Sequence, residues 1–557
     1  MNILLIQVLR LGDALQMIPT IRGLKEAFPN SKVSVLTSSL GSQLFSIQPD
    51  VDCVFTLRKE VLAPLVKDSR VDDLLEAVDI LEADLKDVTG QKWDWVINFS
   101  YSFPSAILVF LADGAHCSGF HATNKRLYLL KEKWLAYCVS AFVNRKYSVL
   151  NWVDINKNVI NLPSVPARAG FLVNEQDLKD VDTHLGGLGF SGEKIIGINP
   201  GASGDFKKWP IEKFVKLGRG LVENHDYKLI IFGDNNDKAL GQRLHEEIGP
   251  GCEDMTGRTT VPQLIAYLSR CDLLVSNDTG PAHISSAVGT PVVSFFFSTH
   301  FVETGPYGAG HIVVFPDIPC FPCKSTEKCS DKQCLNYIDP GTVERLVCSY
   351  DALVKQEKTF LLTEDDGPVA VNVSAFDPWG NLEWLPLDDR PVKPDDALRL
   401  IYKIFWVSVL KEYKDLEQVL PEYAGDVVNR FGKNGQIKHI EESLVQFGKE
   451  LSDISDLYFE SYETSVKLYD SITSGDSNQT KELGEVLQKK EDEMSSFSGN
   501  AYINPLAEYV TLRRDNICEP DILKLGIKTA SLYQDALNFS NELKKCSERI
   551  LRLLSQC

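Results

Sequence analysis

The chain has no apolar run of the roughly 18 residues that a membrane span needs; the nearest candidate, Ile401–Leu410, is interrupted by Lys403. It also lacks a basic excess. Its 58 Lys and Arg stand against 77 Asp and Glu, a formal net charge of −19. Non-specific binding to nucleic acid, which draws on counterions released by a basic surface, is thereby excluded. Any phosphate-bearing ligand needs a local pocket. The imbalance is uneven: residues 361–557 hold 22 basic and 35 acidic side chains, leaving 36 and 42 for residues 1–360. No secretion signal is legible. Met1–Ile6 is apolar, but Arg10 and Asp13 follow at once and no small-residue cleavage site does. The segment reads as a buried strand, and the protein is expected in the cytoplasm. There its 13 Cys are expected as thiols or metal ligands and not as a disulfide framework. A 44% hydrophobic content with 27 Phe, 18 Tyr and 8 Trp excludes disorder. At about 150 residues per domain, 557 residues allow three or four domains.

Short, continuously apolar runs alternate with helical patterns over the first 360 residues. Asn2–Val8, Lys32–Leu36 and Trp93–Asn98 read as strands buried on both faces. Between the first two, Leu15, Ile18, Ile21, Leu24 and Phe28 mark a helix. The pattern restarts with strands at Lys194–Ile198, Lys228–Phe232, Leu273–Val275 and Pro291–Phe297. The fold expected is α/β: two Rossmann-like lobes, residues 1–165 and 166–360, with a cleft outside the carboxyl ends of their strands. Residues 361–392 are rich in Pro, Gly and Asp and read as a linker carrying a hairpin. Residues 393–557 read as a mainly helical accessory domain. Ile437, Ile440, Leu444, Phe447, Leu451, Ile454 and Tyr458 form one apolar stripe, and Tyr462, Val466 and Tyr469 continue it after a phase shift.

Chemistry concentrates in four segments. Cys271–Pro291 reads as a strand, a polar turn Asn277-Asp278-Thr279-Gly280, and a helix opened by Pro281 at its favoured first position. Free amides of Thr279 and Gly280 with a helix dipole behind them suit a diphosphate. A simple helix cap at Asp278 or Thr279 leaves His283, one turn further on, without a reason. In Asn199–Pro210, the small residues around Ala202 and Ser203 admit a ligand close to the backbone, and a lysine neutralises phosphate charge. Spacing from Trp209-Pro210 favours Lys207 over Lys208. The Leu11-Gly12-Asp13 segment after the first strand offers a tight turn at Gly12 and a lone carboxylate. As residues alone, Asp13 reads either as a general base for a hydroxyl or as a helix cap. Finally, Cys320, Cys323, Cys329 and Cys334 form a C-x2-C-x5-C-x4-C cluster. Four such thiols either close a structural tetrahedral zinc or iron site or stay reduced in a loop.

These segments, with Met255–Thr259 and Gly289-Thr290-Pro291, resemble glycosyltransferase family 9, the lipopolysaccharide heptosyltransferases, in the right order over residues 1–350. The resemblance implies a GT-B fold and inverting transfer from a nucleotide-diphospho-sugar, usually ADP-L-glycero-D-manno-heptose. The usual acceptor is Kdo or heptose of the lipopolysaccharide inner core, which implies a place at the inner face of the inner membrane. Carried over, Asp13 is the general base and Lys207 offsets charge on the departing diphosphate. Asp278 binds sugar hydroxyls, Thr279 and Gly280 the diphosphate, and His283 completes the pocket, with Thr259 also on the donor side. Ala202 and Ser203 stand where the family often has two hydroxyl residues, and Asn235 where a ribose-binding Glu is common. No catalytic metal is implied, in keeping with the absence of an Asp-x-Asp motif from the cleft loops. Two alternatives stay open: transfer to a protein or another glycan, and a GT-B scaffold acting through its helical tail. The tail lies outside the resemblance and is expected to hold an acceptor, a protein partner or a second copy.

Overall fold

The computed structural model describes residues 1–67, 70–122, 132–162, 171, 173–323, 329, 331–355, 357, 359–388, 390, 393–411, 437–497, 502–517 and 521–554. The chain divides into two compact units: one of Met1–Leu129 with Leu150–Asp389, the other of Leu130–Val149 with Arg390–Cys557.

The first unit holds two sheets. Strands β1 (Asn2–Gln7), β2 (Lys32–Ser38), β3 (Cys53–Leu57), β4 (Trp95–Asn98) and β5 (His116–Gly119) form a parallel sheet in the order β3-β2-β1-β4-β5. Ile3, Leu4, Leu5 and Ile6 are fully buried, as a run of apolar residues covered on both faces requires. The second sheet comprises β6 (Ile195–Asn199), β7 (Lys228–Ile231), β8 (Cys252–Asp254), β9 (Leu273–Asn277), β10 (Val292–Phe295), β11 (Ile312–Pro316), β12 (Val369–Phe376) and β13 (Leu382–Pro386). Its order is β13-β12-β11-β10-β9-β6-β7-β8, and β6 to β11 are parallel. Both sheets reverse strand order once, between β1 and β4 and between β9 and β6, and ligands of open α/β sheets bind at such points.

Two boundaries differ from expectation. Residues 361–392 are no linker: β12 and β13 extend the second sheet antiparallel from β11, with Val314 opposite Val371. A fully buried carboxylate fixes this hairpin. Asp154 accepts hydrogen bonds from the Lys157 ammonium at 3.0 Å, the Tyr307 hydroxyl at 2.9 Å and the Leu382 amide at 2.9 Å. The second difference is the helix Lys133–Val143, expected in the first lobe but folded with the helical unit.

In that unit, the Ser140 hydroxyl donates to the Pro505 carbonyl at 2.9 Å, Tyr147 donates to Asp395 at 3.0 Å, and the Tyr137 ring meets Trp406 with centroids 5.2 Å apart. The helices Pro394–Lys411, Ile437–Ser474, Ser477–Ser496, Asn504–Asp515 and Ile522–Leu554 complete it. Ile401–Leu410 therefore packs into the core of this unit, and no described helix is long and apolar enough to cross a membrane. The stripe from Ile440 to Tyr458 is buried. Past the phase shift the buried line passes through Ser461, Thr464, Ser465 and Ser471, while Tyr462, Val466 and Tyr469 flank it half-buried. Small side chains let the Ile522–Leu554 helix approach closely: the Ser455 and Ser540 hydroxyls meet at 2.8 Å.

A truncation follows from these boundaries. Ending the chain near residue 365 removes β12 and β13 from the sheet and strips the Lys133–Val143 helix of its partners, so that product is expected to aggregate. Deleting 130–149 and 390–557 together, with a short linker from 129 to 150, is expected to give a monodisperse, cooperatively unfolding protein. Gel filtration and thermal unfolding check both.

Candidate functional site

The site is assembled where both sheets reverse order. Leu9–Asp13 leaves β1 and enters the helix Leu11–Ala27. Lys59 steadies this exit, its ammonium donating to the carbonyls of Val8 and Leu9 at 3.0 Å each. Asp13 lies in the first turn, where Oδ2 accepts the Arg10 amide at 3.2 Å. The carboxylate therefore does cap its own helix, through one oxygen only. Oδ1 has no hydrogen-bond partner among the described residues and stays open to a ligand. Gly12 makes no turn. It is helical, and a Cβ built there would lie 3.5 Å from His283 Cδ2, so the start of the first lobe's helix touches the second lobe directly.

Across from it, β6 and β9 end side by side. Asn277 clamps their loops together: its Oδ1 accepts the Trp209 amide at 3.0 Å and its amide group donates to the Pro200 carbonyl at 2.8 Å. Asn199 donates to Thr279 Oγ1 at 2.8 Å. Thr279 precedes the helix Gly280–Val288 without a side-chain cap, its backbone extended, and the amides of Thr279 and Gly280 have no partner among the described residues. That is the open helix start an anion needs. Lys207, in a single 3-10 turn after β6, places its ammonium 2.7 Å from Asp278 Oδ2, with both side chains mostly buried. Lys208 instead pairs with the exposed Asp205 at 3.3 Å.

The electrostatics show that these groups share one space. Burial pushes the Asp13 carboxyl above its ordinary range, partly offset by the Arg10 amide and by the charges of Arg10, His283 and Lys207. Burial pushes His283 below its ordinary range, partly offset by Asp278 and Asp13. Asp13, Lys207, Asp278 and His283 thus form one cluster drawn from both lobes. The other residues expected on the donor side are less engaged: Ala202 and Thr259 are half-buried, while Ser203 and Asn235 are exposed. Sequence reasoning missed Asn199, Asn277 and Thr299. The last comes from the loop after β10, and its hydroxyl donates to Asp278 Oδ2 at 2.5 Å. The signal was only positional: Asn199 and Asn277 end β6 and β9, the strands of the reversal point, and Thr299 lies just past the neighbouring β10.

The four-Cys donor set suits a tetrahedral ion, but the geometry shown does not close one. Burial and the nearby thiols of Cys320, Cys329 and Cys323 push the Cys334 thiol up. Yet no three His, Cys, Asp or Glu side chains converge as ligands among the described residues. Residues 324–328 and 330 of this loop lie outside the described residues.

Comparison with known proteins joins this geometry to a chemistry. Residues 84–334 match the model of Glycosyltransferase family 9 (heptosyltransferase). The chain is 30% identical over 160 residues to the lipooligosaccharide heptosyltransferase 2 of Campylobacter jejuni subsp. jejuni serotype O:2, a match covering 28% of this chain and 50% of that protein. It is 24% identical over 346 residues to the protein of the same name from serotype O:6, covering 60% and 94%. Among solved structures, a glycosyl transferase family 9 protein from Veillonella parvula superimposes with a TM-score of 0.50 at 20% identity, over 64% of this chain and 97% of that one. That likeness shows the fold, two Rossmann-like lobes of GT-B type. Lys207, Asp278, His283 and the four cysteines fall inside the matched range, and Asp13 precedes it. The chain is a glycosyltransferase, and its residues 84–334 carry the family 9 (heptosyltransferase) match.

Proposed function

We propose that the protein transfers heptose, with inversion, from an ADP-heptose-like donor to a hydroxyl of the lipopolysaccharide inner core or a related surface glycan. The observation that carries this is the single cluster in which the open Asp13 oxygen of one lobe faces Lys207, Asp278, His283 and the free Thr279 and Gly280 amides of the other. Support for the sugar and acceptor comes from the relatives named lipooligosaccharide heptosyltransferase.

In this mechanism the acceptor hydroxyl attacks the anomeric carbon in line with the departing diphosphate. The new C–O bond forms as the old one breaks, the hydroxyl proton passes to Asp13 Oδ1, and the electron pair leaves on the diphosphate. Lys207 and the amides at the helix start stabilise that growing charge. No step draws on a metal. The reaction belongs in the cytoplasm, peripheral to the inner face of the inner membrane. The helical unit contains none of the site residues and holds an acceptor or protein partner.

Incubation with a panel of nucleotide sugars in EDTA tests this reading. ADP release from ADP-heptose, at the same rate with and without EDTA, is expected. Loss of release on chelation, or a preference for uridine or guanosine donors, overturns it. A single structural zinc or iron at Cys320, Cys323, Cys329 and Cys334 belongs to the same reading. Elemental analysis of protein purified without chelator should find about one ion per chain, following from the four-ligand rule. Metal-free protein with four titratable thiols in the loop rejects it.

A further inference from the structure

Asp278 is held by two donors on one oxygen. Oδ2 accepts the Lys207 ammonium at 2.7 Å and the Thr299 hydroxyl at 2.5 Å, which leaves Oδ1 unengaged among the described residues. We propose that Thr299 is a positioning residue that fixes the Asp278 carboxylate and, through it, the Lys207 ammonium. The inference rests on the donor site described above and adds a third loop of the second sheet to it.

The argument concerns what the pair would do alone. A carboxylate rotates readily about its last bond, and an ammonium bound only to a carboxylate can be chelated by both oxygens. Chelation would take Oδ1 from a sugar hydroxyl and draw Lys207 away from a diphosphate. A second donor fixed on Oδ2 opposes that rotation, and a neutral hydroxyl does so without adding charge. Hydrogen bonds to a charged group are the stronger kind, and geometry set by one is correspondingly sharp.

Thr299 can serve because its own segment is held from behind. Ser298 and His300 on either side are buried, with 2% and 0% exposure, while Thr299 itself is half-buried and turned to the site. The Ser298 carbonyl accepts the Cys323 amide at 3.2 Å. The His300 ring stacks on Phe301 with centroids 4.9 Å apart and lies 6.1 Å from Phe321. The cysteine-rich loop is thereby fastened to the back of the segment that presents Thr299.

The test compares Thr299→Val, which keeps the shape and removes the hydroxyl, with Thr299→Ser, which keeps the hydroxyl. ADP affinity by calorimetry, donor KM and kcat, and the unfolding temperature are measured for each. Thr299→Val is expected to lower kcat/KM for the donor about tenfold, the scale of one hydrogen bond to a charged group. Thr299→Ser should stay within about twofold of the wild type, and the acceptor KM should be unchanged in both. In an Asp278→Asn background, Thr299→Val should add nothing. Equal loss in Val and Ser, wild-type behaviour of Val, or a full additional loss in the Asp278→Asn background overturns the proposal. If the wild type itself binds no ADP, the donor-site reading fails and Thr299's role falls with it. Wild-type ADP binding with an unaffected Thr299→Val refutes Thr299's role alone.

Discussion

Asp13→Asn is expected to lower sugar transfer by a factor of about 10² to 10⁴, the range a positioned general base supplies, while ADP binding stays within about twofold. Asparagine keeps an oxygen for the Arg10 amide, so the helix cap survives and the loss is chemical. Two further readouts separate the base from the cap. Transfer in the wild type should fall as pH drops through the Asp13 pKa, and that limb should lie above the ordinary carboxylate range because burial raises this group. Burial pushes His283 down toward the same range, so a limb that persists in His283→Gln is the one that belongs to Asp13. The linkage sign for stability is the reverse of the usual carboxylate case. A carboxyl raised in the folded state favours folding when protonated, and that advantage is lost as pH rises from its unfolded value through its folded one. At pH 7 Asp13→Asn should therefore unfold at the wild-type temperature or above it. Near-normal turnover in this variant would reduce Asp13 to a helix cap.

Lys207→Ala is expected to act on both stability and turnover. It leaves the mostly buried Asp278 carboxylate with Thr299 as its one hydrogen-bond partner among the described residues, and removing one member of such a pair costs about 3–5 kcal/mol. ADP should bind more weakly, and kcat should fall by about 10² to 10³, the scale of one lost donor to developing negative charge. Pairing the change with Asp278→Asn separates the two effects. The double variant should regain most of the lost unfolding temperature, because no unpaired charge remains, and none of the lost turnover. Recovery of transfer in the double variant would mean that Lys207 serves only to neutralise Asp278.

What could be read from the sequence was whatever is written locally. Unbroken apolar runs such as Asn2–Val8 gave strands, Pro281 gave a helix start, and the polar segments after β6 and at the end of β9 marked the loops that meet at Lys207 and Asp278. The pairing of Lys207 with Asp278 was not legible, because 71 residues separate two side chains that adjacent parallel strands bring together. Thr299 escaped for the same reason. The Pro-, Gly- and Asp-rich composition of residues 361–392 marked turns correctly, but whether a hairpin stands free or joins a sheet edge depends on the edge. Here β11 offers one. Residues such as Ser461 and Ser465 broke the apolar periodicity of their helix, since small side chains mark a close helix contact as well as a solvated face. By its place in the chain alone, Trp134–Ala141 reads as part of the first lobe, since its apolar character carries no information about which unit buries it.

The helical unit is built from two stretches of chain, so its parts are made at different times. The helix Lys133–Val143 leaves the ribosome about 360 residues before Asn504–Asp515, whose Pro505 carbonyl receives the Ser140 hydroxyl. At ~5–20 residues per second, the wait is about 20–70 s. For most of it Trp134, Leu135 and Tyr137, all buried in the finished protein, wait for cover, since even Trp406, on which the Tyr137 ring packs, comes late in the chain. The nascent chain thus carries a sticky apolar segment in its first quarter that only its second half relieves. Its yield is set by whatever shields that segment during synthesis, and slower growth at low temperature with abundant holdase chaperones is the regime that favours the native product.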